Sequence, residues 1–230
     1  MTEDMERLLV ALLKISKENE EFYNSSEKMQ NLLKEVGAIA LADNHWKISR
    51  EIRSAIALKA ITHGAQPEVV VENMTWKDFE GLIAQILSEN NYAYTESFRR
   101  RGTATIQGME IDVIGVKGNS IIVVDAKMWG IRSGKASALM GAVTKQITRT
   151  ERLAQQLDRL SKKISGMKPG SYSLTPVMVT WLVEEVELYE GVPVVPIFKL
   201  NSFLNEIDRF QDFMVNYKGV LGLQLEQSKL

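Results

Sequence analysis

The chain has 230 residues, 45% of them hydrophobic and 25% charged, with 28 Lys and Arg against 29 Asp and Glu. Such a composition belongs to an ordinary globular protein with one good core and room for a small second domain, and it excludes a disordered chain. With no cysteine and only His45 and His63, disulfides, thiolate metal sites, Cys nucleophiles and a Ser-His triad fall away, and a metal ion would have to be held by carboxylates, which favours Mg²⁺ or Mn²⁺.

The first 74 residues read as all helical. Met5, Leu8, Leu9, Leu12, Leu13 and Ile15 recur at helical spacing and predict a helix over 4–22. A second is expected over 26–41, capped by Ser25 or Ser26. A third follows Ser49 and ends near Gly64, and Pro67 opens one short turn more. At Thr75-Trp76-Lys77-Asp78 a capped helix start is expected, with the acid at its third position. Strands follow over about 92–98, 106–116 and 120–128, the last two joined at Lys117-Gly118-Asn119 by a tight hairpin. Ile121-Ile122-Val123-Val124 is apolar on both faces and reads as a central buried strand. A long helix is expected over 138–164, a buried strand over 176–182, a short strand over 192–197 and a closing helix over 201–213. The fold class is therefore α/β, with a sheet core behind a helical preface. No apolar run is long enough to span a membrane, and acids precede the short apolar stretch near Met1, which is the wrong charge for a secretory signal. A cytoplasmic protein with neither a membrane partner nor a small-molecule organic cofactor is expected.

The near-zero net charge hides an asymmetry. Residues 91–170 hold 14 basic and 6 acidic side chains, whereas residues 1–75 hold 9 and 12. A basic middle segment points to a phosphate backbone as partner; a set of solvated helix faces is the plainer alternative.

Two carboxylates stand out against that background. Asp112 sits inside the strand Met109–Ile114, and Asp125 ends the run Ile121–Val124. Carboxylates there need a compensating cation. Strand periodicity puts Lys127 on the same face as Asp125, and the hairpin brings Asp112 close to the Asp125 end. Two carboxylates and the Ala126 carbonyl suffice for Mg²⁺, which neutralises a phosphate and lowers the pKa of a water. Lys127 would orient that water or stabilise the developing charge. Glu80, one turn into the preceding helix, would add a ligand directly or through water. Glu110 shares the Asp112 face and is a weaker substitute ligand.

The ordered set Glu80, Asp112, Asp125-Ala126-Lys127 resembles the PD-(D/E)XK nuclease superfamily, whose fold is restriction-endonuclease-like: a mixed sheet flanked by helices. The stretches TWKDFEGLIAQILSENNY, RRRGTATIQGMEIDVIGV and NSIIVVDAKMWG are similar to Mrr-like endonucleases and archaeal Holliday-junction resolvases, over roughly residues 75–210. The resemblance implies a metal-dependent DNA endonuclease of repair or restriction, with Gln146 of the following helix as a further site residue. One departure is Asp125, where resolvases more often use Glu. The alternative is a nuclease-like subunit that binds DNA or a partner without cutting.

Around that site Arg99, Arg100 and Arg101 are candidate phosphate contacts at the end of the first strand. Lys145 and Arg149 share a helix face with Arg152, and Arg132 and Lys135 lie in the loop after the Asp-x-Lys strand. Trp129 would stack on a base or pack as core. Two domains are expected, a nuclease-like domain over 75–230 and a helical region over 1–74. The helical region reads first as a dimerisation unit, since enzymes that cut both strands present two sites about a two-fold axis, with DNA binding or a lid as alternatives.

Overall fold

A computed structural model describes residues 2–102, 108–128 and 135–222. The chain forms two compact units, Met1–Leu82 with Met128–Ile131, and Ile83–Lys127 with Arg132–Leu230. Helix α5 (Trp76–Glu89) gives its first half to one and its second half to the other.

The first unit is mostly but not wholly helical. Helices α1 (Thr2–Ile15), α2 (Glu27–Glu35), α3 (Arg50–Thr62) and α4 (Pro67–Glu72) alternate with strands β1 (Glu21–Tyr23), β2 (Ile39–Ala42) and β3 (His45–Lys47). The strands form an antiparallel sheet in the order β1-β3-β2. This sheet corrects the expectation of an all-helical preface. Gly37, at φ +80, stops α2 six residues early. Asn44, at φ 58, turns β2 into β3. Short strands with weak alternation carried no signal against the helical pattern around them. The two histidines are structural in placement. His45 stacks on Tyr23 with ring centroids 4.3 Å apart, and the His63 ring nitrogen lies 2.8 Å from the Lys59 carbonyl.

The expected capped start of α5 is present. The Asp78 amide donates to the Thr75 hydroxyl at 3.1 Å, and the Thr75 amide donates to Asp78 Oδ2 at 2.7 Å. The same Asp78 oxygen pairs with Arg53 Nε at 3.0 Å, both side chains being 3% exposed. Arg53 also donates to the carbonyls of Leu13, at 2.8 Å, and Asn73, at 2.7 Å. One guanidinium thus ties α1, α3, the α4 end and the α5 start together. At the head of α3, a hydrogen bond from Ser49 holds the Glu51 carboxyl below its usual range.

The second unit is an α/β layer structure around a mixed sheet. Its strands are β4 (Ala93–Arg100), β5 (Met109–Lys117), β6 (Ser120–Lys127), β7 (Gly170–Thr180), β8 (Leu188–Tyr189), β9 (Val192–Pro196) and β10 (Tyr217–Leu221). The order is β4-β5-β6-β7-β9-β8, with β10 antiparallel to the first half of β7. β6 runs parallel to β7 along its whole length, as Ser120↔Ser173 through Lys127↔Thr180. Every residue from Ile121 to Ala126 is buried, as a central strand covered on both faces requires.

Helix α6 (Lys135–Ala154) stops earlier than expected and a separate α7 (Leu157–Ser161) follows. β7 starts six residues before its expected position. The closing helix is α8 (Ile197–Glu206), continued by a 3-10 turn over Ile207–Phe213. β10 was not expected, and Gly219 shows why it fits. A Cβ there would lie 2.5 Å from the Ala154 carbonyl oxygen, so this strand accepts the end of α6 only with glycine. Leu153, Leu157, Leu160, Val123, Leu174 and Leu221 share the core that results. The α/β architecture, mixed sheet, flanking helices and largely helical N-terminal region are consistent with a restriction-endonuclease-like fold in general. Among the described residues no helix is long and apolar enough to cross a membrane.

Removing the Arg53 guanidinium leaves Asp78 buried and unpaired. Arg53→Ala is expected to lower stability by about 3–5 kcal/mol, read from urea denaturation.

Candidate metal centre and basic groove

The site is built where a β-ladder ends. β5 and β6 pair from Lys117↔Ser120 to Val113↔Val124 and no further. The turn between them places Gly118 at φ +56, at the first central position of a two-residue hairpin. That turn sets the register, and continuing it by one step puts Asp112 opposite Asp125. Beyond Val113 the two strands part. The Ala126 amide there donates to Asp112 Oδ2 at 2.8 Å, so a side-chain carboxylate takes the place of a main-chain acceptor. The neighbouring β4–β5 ladder is also interrupted at this level. It runs through Glu96↔Val113 and Phe98↔Ile111, and omits Ser97. Ser97 adopts φ 49, a conformation that costs a non-glycine residue about 1–2 kcal/mol and recurs at functional sites.

Asp125 is 2% exposed and sits between two cations. Its Oδ1 accepts from Arg149 Nη1 at 2.7 Å. Its Oδ2 forms an ion pair with Lys127 Nζ that lacks hydrogen-bond geometry, so this buried oxygen has no hydrogen-bond partner. Lys127 Nζ also donates to the Ala126 carbonyl at 3.3 Å. Asp125 is thus met by Lys127 from its own strand and by Arg149 from α6.

Gln146 is fully buried on α6, and its Nε2 donates to the Val123 carbonyl at 2.8 Å. It fixes the helix two residues upstream of Asp125, and α6 then carries Arg149 to that carboxylate. Gln146 Oε1 is buried without a partner.

Glu80 belongs to the first unit, where it is 4% exposed and its Oε2 lies 3.3 Å from Lys77 Nζ. Among the described residues no group of three His, Cys, Asp or Glu side chains comes together to hold a metal. The donor set in the second unit is therefore Asp112, Asp125 and the Ala126 carbonyl. It fits an ion that keeps most of its waters, as Mg²⁺ does, since two carboxylates and one carbonyl leave the remaining coordination positions open. Glu110 is not part of this set: Arg99 Nη2 holds its carboxylate at 2.7 Å across β4 and β5.

A groove of about 630 Å³ meets the carboxylate site through Arg149 and is lined by Arg99, Arg100, Arg101, Lys145, Arg149 and Arg152 against one acid, Glu110. Five of the expected phosphate-contacting residues converge here. Arg132 lies outside the described residues, as does Trp129. Lys135 is the first residue of α6, and its side chain is also outside them. Arg152 and Thr148 complete the lining on the α6 side. The contact between Arg149 and Asp125 had no signal in the sequence beyond the helical repeat of bases, because it depends on how α6 docks on the sheet.

No protein-family model matches the chain. An uncharacterized protein of Archaeoglobus fulgidus is 25% identical over 137 residues, covering 58% of this chain and 92% of its own. Among solved structures, protein VC1899 from Vibrio cholerae aligns over 93% of this chain with a TM-score of 0.38 and 14% identity. Can2 from Sulfobacillus thermosulfidooxidans, solved in complex with cyclic tetra-adenylate, aligns over 89% with a TM-score of 0.34 and 14% identity. The chain spans 53% and 52% of those two chains, about half their length. Likeness at this level assigns no residue a role.

Asp112→Ala leaves the Ala126 amide without its acceptor and is expected to cost about 1–3 kcal/mol. Asp112→Asn keeps an acceptor oxygen there and is expected to retain wild-type stability. Amide hydrogen exchange at Ala126 separates the two: fast in the first variant, protected in the second.

Proposed function

We propose that the chain is a metal-dependent nuclease of the PD-(D/E)XK type that hydrolyses phosphodiester bonds of DNA. The observation that carries this reading is the convergence of Asp112, Asp125 and Lys127 where β5 and β6 part, beside a groove lined by six basic side chains. The superfamily is the level of the proposal. Asp125 in place of the more frequent Glu gives no preference for a junction resolvase, and the substrate is taken as DNA without further detail.

In this reading Asp112 and Asp125, with the Ala126 carbonyl, would hold one Mg²⁺ or Mn²⁺. The ion would supply neutralisation of the scissile phosphate and a lowered pKa for the attacking water. Lys127, carried on the same strand as Asp125, would orient the attacking water or stabilise the charge that develops on the phosphate. Arg99, Arg100, Arg101 and Lys145 hold the strand by its phosphates, with Arg132 and Lys135 assigned to the same task on position in the chain alone. Gln146 is a positioning residue that keeps α6 seated on β6. Glu80 would be a further ligand, directly or through water. Residues 75–230 form the nuclease-like domain, and the N-terminal region is proposed to pair two copies so that both strands are cut.

One observation favours a second reading. Both oxygens of Asp125 already face protein cations, the arrangement of a nuclease-like subunit that binds nucleic acid without cutting. Incubation of plasmid and branched DNA with Mg²⁺ decides between them. The nuclease reading predicts cleavage that stops with chelator and falls at least about 10³-fold in Asp125→Ala and Lys127→Ala, with DNA affinity in EDTA retained. Uncut DNA that still binds with a steep salt dependence supports the second reading.

A further inference from the structure

Arg149 lines the groove and also touches a carboxylate of the proposed metal centre. Its Nη1 lies 2.7 Å from Asp125 Oδ1, and its side chain is 32% exposed against 3% for Asp125. One end of the contact therefore faces the groove while the other is sealed. Among the described residues Asp125 has two partners, Arg149 and Lys127.

We propose that Arg149 couples strand binding to metal binding: it caps Asp125 while the groove is empty and moves to a backbone phosphate when a strand enters. The inference rests on the metal-dependent reading above and deepens it. Three arguments lead there. The first is charge. Asp125 already faces Lys127 and Arg149, so a divalent ion placed beside it adds positive charge in excess in a largely buried site. A phosphate drawn in with the ion reduces that excess, and departure of Arg149 from Asp125 reduces it further. The second is position. Lys145, Arg149 and Arg152 lie at intervals of four and three residues on α6, over a rise of about 10 Å. A strand that follows this face passes the Arg149 guanidinium. Arg100, Arg101 and Lys145 have no anionic partner among the described residues, so attraction of the strand does not depend on Arg149. The third is geometry. A guanidinium fork binds phosphate in two-point fashion, so the phosphate replaces the bond given up at Asp125. By linkage the effect is mutual: strand raises metal affinity by the factor by which metal raises strand affinity.

The test uses the full chain at fixed ionic strength. Mn²⁺ binding is read by calorimetry without DNA, and binding of a short labelled DNA duplex is read by anisotropy in EDTA and in Ca²⁺. The wild type is expected to bind the duplex at least about tenfold more tightly in Ca²⁺ than in EDTA, after subtraction of the ion's effect on the duplex alone. Arg149→Met is expected to bind Mn²⁺ about tenfold more tightly than wild type without DNA, and to lose the Ca²⁺ effect on duplex affinity. Arg149→Gln fits the same space without the charge and must shift both quantities in the same direction, so the test survives if the Met variant fails to fold. Equal Mn²⁺ affinity in wild type and both variants, or a Ca²⁺ effect that persists in them, overturns the coupling role and leaves the nuclease reading standing. Absence of any Mn²⁺ binding at millimolar concentration, with and without duplex, overturns the metal-dependent reading and the inference together.

Discussion

A carboxylate ends a β-ladder at position 112, and the candidate site follows from that substitution of side chain for main chain. β5 and β6 pair normally up to Val113↔Val124, and then the Ala126 amide turns to Asp112 instead of to a backbone carbonyl. A buried amide must find an acceptor, so the strands part only because Asp112 supplies one. The parting makes room between two central strands without leaving an unpaired backbone group at Ala126. β6 does not yield on its other side, where its pairing with β7 continues to Lys127↔Thr180. Gln146 fixes α6 to the same strand at Val123. The carboxylates and Lys127 therefore stand on rigid elements, which is what a site needing sub-ångström placement requires.

Electrostatics then organises the surroundings. A carboxylate 2% exposed is costly unless cations meet it, and Asp125 has Lys127 from its own strand and Arg149 from α6. Some of the excess of bases in the middle of the chain lies at exposed positions, Arg159, Lys162, Lys163 and Lys168 among them. Six of its members gather in one groove next to those carboxylates, from the end of β4 and from α6. Under the proposed function a polyanionic strand would account for the like charges drawn together, and a divalent ion would be held by the carboxylates.

The parts of this arrangement that depend on local rules were legible in the sequence. Gly118 in a two-residue turn fixes the β5–β6 register, and the register alone puts Asp112 near Asp125. Period two puts Lys127 beside Asp125, and the Thr75–Asp78 spacing marks the start of α5. What was not legible depends on tertiary contact. Strands β1, β2 and β3 pair with one another across a helix, in segments too short to outweigh the helical pattern around them. β10 exists because Gly219 accepts the end of α6. The assignment of Glu110 as a spare ligand missed Arg99 directly opposite it on β4, and Arg149 was read as a phosphate contact alone because nothing in its own helix reveals the carboxylate below.

The most direct test of the central claim is a crystal grown with a DNA duplex and soaked in Mn²⁺, with the ion located by its anomalous scattering. The account predicts a peak at about 2.1–2.2 Å from carboxylate oxygens of both Asp112 and Asp125, with the Arg149 guanidinium turned to a phosphate. A peak bound elsewhere, or an Asp125 still closed by Arg149 with DNA in the groove and no ion beside it, contradicts it.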